Sequence, residues 1–263
     1  MQTDRNNIIT ADEVSIRFGG LMALSKVSFQ MPEGSITAII GPNGAGKTTL
    51  FNCITGFYRP TTGNILYSHD GHSQSLNKLP IHNIARAGVA RTYQNIRLFG
   101  QMTALENLLV AQHHRVNHHL LAGIFKTPAF RASEAAAQER AWFWLKFMGL
   151  DKFANTEAGN LPYGHQRRLE VARAMAGGPK VICLDEPAAG LNENETRELN
   201  ALIMQLKNEH HMSVLLIEHH MGVVMNISDH VVVLDHGEVI GAGTPAEVQK
   251  NPAVVKAYLG EDE

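Results

Sequence analysis

The chain has 263 residues, 44% of them hydrophobic and 18% charged, which is enough to bury a sizeable core and excludes a disordered chain. Lys plus Arg number 23 and Asp plus Glu 25, a net charge of −2, so no global electrostatic attraction draws it to nucleic acid. Met1 to Asn7 is polar, without the apolar stretch of a signal peptide, and no apolar run reaches the ~18–20 residues that span a bilayer, so any spanning of a membrane falls to other chains.

In chain order, Val14 to Phe18 and Val27 to Met31 alternate as edge or hairpin strands do. Ser35 to Ile40 is a compact apolar run, a buried strand that ends at Gly41, and Gly46 to Thr55 reads as a helix. Asn64 to Tyr67 is a short strand after the turn residues Pro60 and Gly63; Ser68 to Lys78 is polar and reads as a surface loop. From Met102 to Met148 the pattern is helical. Thr103 with Glu106 predicts a capping box, and Ala132 to Lys146 is amphipathic with Trp142, Leu145 and Met148 on one stripe. Val181 to Leu184 and Ser213 to Ile217 are buried strands flanking a helix over Glu193 to Asn208. Val231 to Asp235, His236-Gly237 and Glu238 to Gly241 form a hairpin, and Pro245 to Leu259 closes in short helices. Alternation of strand and helix predicts a parallel α/β sheet covered by helices, with a helical lobe inserted. Cys53 and Cys183 lie in apolar segments and read as buried reduced thiols of a cytosolic protein.

Gly41-Pro42-Asn43-Gly44-Ala45-Gly46-Lys47-Thr48-Thr49 matches the G-x-x-x-x-G-K-[ST] phosphate-binding loop in full. Its glycines let backbone N–H groups converge on phosphate oxygens, and the following helix offers its N-terminus to the same anion. Lys47 supplies a point charge for the β and γ phosphates of ATP, and Thr48 a hydroxyl ligand for magnesium. Val181 to Glu186 is an apolar strand ending in two acids. Asp185 there can hold hydrated magnesium, and Glu186 can take a proton from the attacking water or orient it.

In this pattern the chain resembles the ABC ATPases. Leu161-Pro162-Tyr163-Gly164-His165 resembles their signature motif, Gln94 their Q-loop glutamine, His219 their switch histidine, and Ala189 to Asn192 their D-loop. Phe18 sits where that family stacks an aromatic ring on adenine. The resemblance implies a P-loop NTPase core of ABC type with an antiparallel β subdomain and an inserted helical subdomain. Residues 1–93 would form the core with the β subdomain and phosphate loop, 94–168 the helical subdomain, and 169–263 the rest of the core. It adds Gln94 to Thr48 and Asp185 around magnesium and gives His219 the γ-phosphate.

More narrowly, the chain resembles the LivG-type ATP-binding subunits of branched-chain amino-acid importers. Arg17 to Leu21, Phe51-Asn52-Cys53, Thr55 to Tyr58, Arg91 to Gln94, Arg97 to Phe99, Glu106 to His113 and the tail from Asn251 to Gly260 carry that likeness. It implies a peripheral ATPase on the cytoplasmic face of the inner membrane, paired with a LivF-like second ATPase, docked on two permease subunits and fed by a periplasmic binding protein. Within the same class the alternatives are a urea or amide importer and a lipopolysaccharide exporter; outside it, a soluble ABC ATPase or a metabolic P-loop kinase. Pro162, Tyr163, His165 and Asn192 depart from the general ABC pattern; proline offers neither hydroxyl nor N–H to a phosphate. The histidine pairs 113–114, 118–119, 210–211 and 219–220 read as solvated, His219 excepted. Leu120, Leu121, Ile124, Phe125 and Phe130 read as packing inside the lobe, and Arg167, Arg168 and Arg173 as a solvated helix face.

Overall fold

The computed structural model describes residues 7–115 and 127–259. His118, His119, Leu120, Leu121, Ile124 and Phe125 lie outside them. The chain forms two compact units, Met1–Arg91 with Lys180–Ala189 and Asn200–Glu263, and Thr92–Pro179 with Gly190–Leu199.

The first unit holds two sheets. β1 (Asn7–Phe18), β2 (Leu21–Pro32), β4 (Thr62–His69) and β5 (His72–Ser75) make a four-stranded antiparallel sheet in the order β2-β1-β4-β5. β1 and β2 run well beyond the segments that alternate in sequence, because β1 carries register shifts and a left-handed residue at Glu13 that break the period of two. β5 falls within the expected surface loop. It follows an Asp70-Gly71 turn with both φ angles positive, the two-residue hairpin geometry, and all four of its residues are exposed, so no hydrophobic alternation marks it.

The second sheet has six strands in the order β10-β9-β3-β8-β7-β6: β3 is Ile36–Ile40, β6 Val89–Arg91, β7 Val181–Asp185, β8 Ser213–Ile217, β9 His230–Asp235 and β10 Glu238–Gly243. All its pairings are parallel except the β9–β10 hairpin. β3, β7 and β8 are buried at every position, which is why they read as unbroken apolar runs. Helix α1 (Lys47–Ile54) buries Leu50, Phe51, Cys53 and Ile54 in this unit's core. Burial pushes the thiols of Cys53 and Cys183 up to about 12, which leaves them inert. Helices α2 (Ile81–Ala87), α7 (Met221–Ile227), α8 (Pro245–Gln249) and α9 (Pro252–Leu259) belong to the same unit.

The second unit is helical: α3 (Ala104–Ala111), α4 (Pro128–Phe147) and α5 (Tyr163–Ala176), with the start of α6 (Glu193–His210). A break at 168 would cut α5, and the unit continues to Pro179. Thr103 and Glu106 form the capping box on α3. The buried stripe of α4 is Ala137, Ala141 and Leu145, continued by Met148, whereas Trp142 is 44% exposed. It sits one residue, about 100°, off the stripe of i, i+4 neighbours. Asn107 is fully buried. Its amide donates to the carbonyls of Phe99, Met102 and Thr103, and its oxygen accepts from the Phe99 amide.

Asn107→Ala leaves those groups without partners. The expected loss is about 2–4 kcal/mol in chemical denaturation. Val110→Ala, at an exposed position of the same helix, should stay within about 0.5 kcal/mol. Similar losses in the two would remove Asn107 from this role.

Candidate functional site

Register places the chemistry. Ile39 of β3 lies opposite Ile217 of β8, and Ile217 opposite Asp185 of β7. β7 and β8 therefore end at one level and β3 one residue beyond it, at Ile40, so their carboxyl ends release Gly41, Glu186 and Glu218 along one edge of the sheet. In open parallel sheets that edge is where ligands bind.

From β3 the chain enters the phosphate loop. Gly41 has φ 148°, and a Cβ there would stand 2.0 Å from the Leu234 carbonyl oxygen. Gly46 has φ 100°, and its Cβ would meet the Ala23 carbonyl oxygen at 2.8 Å. Both positions demand glycine. Pro42 accepts from the Ala45 amide, and Lys47 Nζ donates to the carbonyls of Gly41 and Pro42, each at 2.8 Å. Burial lowers the Lys47 pKa, while the charge of Glu186 opposes the shift, so the ammonium feels that carboxylate. Asn43, Gly44 and Thr48 are exposed, and nothing lies within 4 Å of a Cβ built on Gly44. The outer face of Pro42 to Ala45 lines a cleft of about 920 Å³ with Asp235, His236 and Lys256. Tyr258, on α9, has its hydroxyl bonded to the backbone of Gly41.

At the end of β7, Asp185 is buried and Glu186 adopts φ 47°, a strained conformation for a residue with a side chain. Bonds at 2.9 Å from the Glu186 amide to the Ile217 carbonyl and at 3.1 Å from the Ala189 amide to the Glu186 carbonyl hold it there. His219 Nε2 lies 2.6 Å from Glu186 Oε1. Next to His219, Glu218 is 3% exposed and faces the amides of Ala188, His219 and His220, at 3.0, 3.1 and 3.4 Å. Backbone donors rather than a cation satisfy this carboxylate, and they tie the turn after β7 to the turn after β8.

Phe18, Lys47, Thr48, Thr49, Asp185, Glu186 and His219 all belong to the first unit; Gln94 and the signature segment belong to the second. Phe18 is 44% exposed and meets Tyr58 edge to face at 5.1 Å. In the helical unit, Arg167 is buried rather than solvated. It donates to the carbonyls of Tyr93 and Gln94 at 2.8 Å, pairs with Glu170 at 3.2 Å and reaches the Tyr163 hydroxyl. Glu170 accepts from the amides of Tyr93 and Arg97, and burial still raises its pKa against these bonds. The backbone around Gln94 is thus fastened to α5. Glu195 lies against Gly164, where a Cβ would come within 2.5 Å of Oε1.

The donor set suits Mg·ATP. Thr48 and Asp185 offer hard oxygen atoms of the kind magnesium takes, and the loop glycines are of the kind that present amides to phosphates. Sequence reasoning missed Glu218 and Tyr258, which act through partners distant in the chain.

Residues 24–189 match the family model described as ABC transporter, and residues 238–263 that of a branched-chain amino acid ATP-binding cassette transporter. The chain is 55% identical to the high-affinity branched-chain amino acid transport ATP-binding protein BraF of Pseudomonas aeruginosa, over 97% of this chain and 98% of that one. It is 50% identical to the corresponding LivG protein of Escherichia coli over the same shares. Among solved structures it is similar to the ADP conformation of an ATP-binding cassette of an ABC transporter, with TM-score 0.83 and 31% identity over 97% of this chain and 100% of that one. A nucleotide-free ATP-binding cassette gives 0.82 and 30% over the same shares.

Glu218→Ala is expected to lower stability by about 1–3 kcal/mol through the orphaned amides. Glu218→Gln retains an acceptor oxygen and should recover part of the loss. Thermal denaturation of both variants is the check, and equal melting of wild type and Glu218→Ala would show the cradle to be idle.

Proposed function

The chain belongs to the ABC transporter ATP-binding family, and from that premise we propose that it hydrolyses ATP to energise a membrane importer of branched-chain amino acids. The observation that supports this reading most is the Glu186 carboxylate, held in a left-handed turn 2.6 Å from His219 and felt electrostatically by Lys47. ATP is the substrate, its phosphates held by the amides of Gly44 to Thr48 and by Lys47, its adenine against Phe18. Thr48, Gln94 and Asp185 would hold magnesium, which would supply charge neutralisation at the β and γ phosphates. Glu186 takes the proton of the water that attacks the γ-phosphate in line, and His219 orients that carboxylate and contacts the phosphate. Pro42, Asn43, Ala45 and Thr49 shape the loop and its helix.

The chain acts at the cytoplasmic face of the inner membrane, docked on two permease subunits that a periplasmic binding protein supplies. Among the described residues no helix is long and apolar enough to cross a membrane. It works as a dimer, since each ATP in this family lies between one subunit's phosphate loop and the other's signature. Here Pro162 removes the hydroxyl that would reach a γ-phosphate, and Glu195 places a carboxylate against Gly164 beside the first turn of α5. Two copies of this chain would carry that deficit in both sites. A LivF-like partner would confine it to one.

Glu186→Gln should keep ATP binding and lose most phosphate release in the assembled transporter, whereas Lys47→Ala should weaken ATP binding itself. Near-normal turnover of Glu186→Gln would remove it as the base. The asymmetry has its own test. A missing bond to a charged group is worth about 1.5–3 kcal/mol, tenfold or more in turnover at the site this signature completes. Disabling Glu186 should therefore cost the complex more turnover than disabling its counterpart in the partner. Equal losses, or full activity of this chain as a homodimer, would overturn it.

A further inference from the structure

Arg91 ends β6 and is the last residue of the first unit before the chain passes into the helical one. Its Nη2 donates to Asp185 Oδ2 at 3.0 Å, and its Nη1 donates to the side-chain oxygens of Asn52 and Thr55. The guanidinium carbon stands 4.6 Å from the ring centroid of Phe51 and 4.9 Å from that of Phe57. The two side chains of the ion pair are 12% and 6% exposed. In the sequence, Phe51, Asn52, Thr55 and Phe57 only mark a resemblance. In space they surround one cation, and the acid that cation grips is Asp185.

We propose that Arg91 is the positioning residue of the magnesium-binding aspartate, fixing the Asp185 carboxylate relative to the helix that carries Lys47 and Thr48. The geometry explains why the cage takes this form. Two rings and two side-chain oxygens set the plane and direction of a rigid fork, and the fork sets the carboxylate. Phe51 and Asn52 lie on α1, whose first two residues are Lys47 and Thr48, so the cage ties the metal's acid to the phosphate loop's own helix. A buried ion pair contributes little net stability against an apolar replacement, so orientation is what this one supplies. Lys at position 91 would keep the charge and lose the fork.

This inference rests on the assignment of Asp185 to magnesium, and the experiment separates the two. Equilibrium ATP binding by the full chain is measured with saturating Mg²⁺ and with EDTA, alongside thermal denaturation. Wild type should bind more tightly with Mg²⁺; if it does not, the site assignment itself fails. Arg91→Ala should bind ATP in EDTA within about twofold of wild type and lose about tenfold of the magnesium enhancement, the usual effect of removing a metal ligand's partner. Arg91→Lys should fall between. Asn52→Ala and Phe57→Leu loosen the cage with the charge kept and should give smaller losses of the same kind, which decides the matter if Arg91→Ala does not fold. An undiminished enhancement in these variants, or equal losses with and without Mg²⁺, would make Arg91 a structural ion pair and overturn the proposal.

Discussion

Everything chemical in this molecule depends on the parallel register of β3, β8 and β7. Ile39, Ile217 and Asp185 share one level, so three segments far apart in sequence bring Gly41, Glu186 and Glu218 out at one edge. A slip of one residue in any of the three would turn its side chains to the other face of the sheet and move Lys47, Glu186 or His219 out of reach of the others. The strands resist such slips because they are buried at every position and mostly apolar. The hydrophobic effect thus acts here as a positioning force: it fixes register, and register fixes where charge stands.

Strain is tolerated at that edge because neighbouring bonds hold it. Glu186 sits in the left-handed region, which costs of order 1–3 kcal/mol for a residue with a side chain. Its amide bond to the Ile217 carbonyl and the return bond from the Ala189 amide are both made to backbone that Glu218 also secures, through the Ala188 amide on one side and the His219 and His220 amides on the other. The turn after β7 and the turn after β8 are in effect one hydrogen-bonded object. The contact between Glu186 and His219 follows from it.

What the sequence reveals is what chemistry demands locally. The phosphate loop is legible because its glycines, lysine and threonine recur at fixed spacing within nine consecutive positions, and Asp185-Glu186 because an apolar strand ends there. The capping box at Thr103 and Glu106 and the hairpin at His236-Gly237 are legible for the same reason. Long-range pairings are not. Arg167 reads as one of three basic residues on a solvated face, yet besides its pair with Glu170 it donates to carbonyls some 70 positions upstream, at Tyr93 and Gln94, and no local pattern signals those distant acceptors. β5 hides because all four of its side chains are exposed, and Trp142 misleads because an aromatic residue one position off a stripe still looks apolar. Glu218 reads as a polar residue before a histidine, since a cradle of amides leaves no trace in side-chain chemistry.

Four buried or half-buried carboxylates show how the fold assigns roles through partners. Glu218 is held by backbone amides, Glu170 by amides and Arg167, Asp185 by the caged Arg91. Each of those partners is itself fixed, so each carboxylate has one stable arrangement, as a structural or metal-orienting group requires. Glu186 is different. Its close partner is His219, whose side chain is 41% exposed and whose backbone alone is anchored by Glu218. An imidazole on an anchored backbone can still rotate about its side-chain bonds. The fold thus gives Glu218, Glu170 and Asp185 partners that are themselves buried or backbone-bound, and Glu186 the more exposed one.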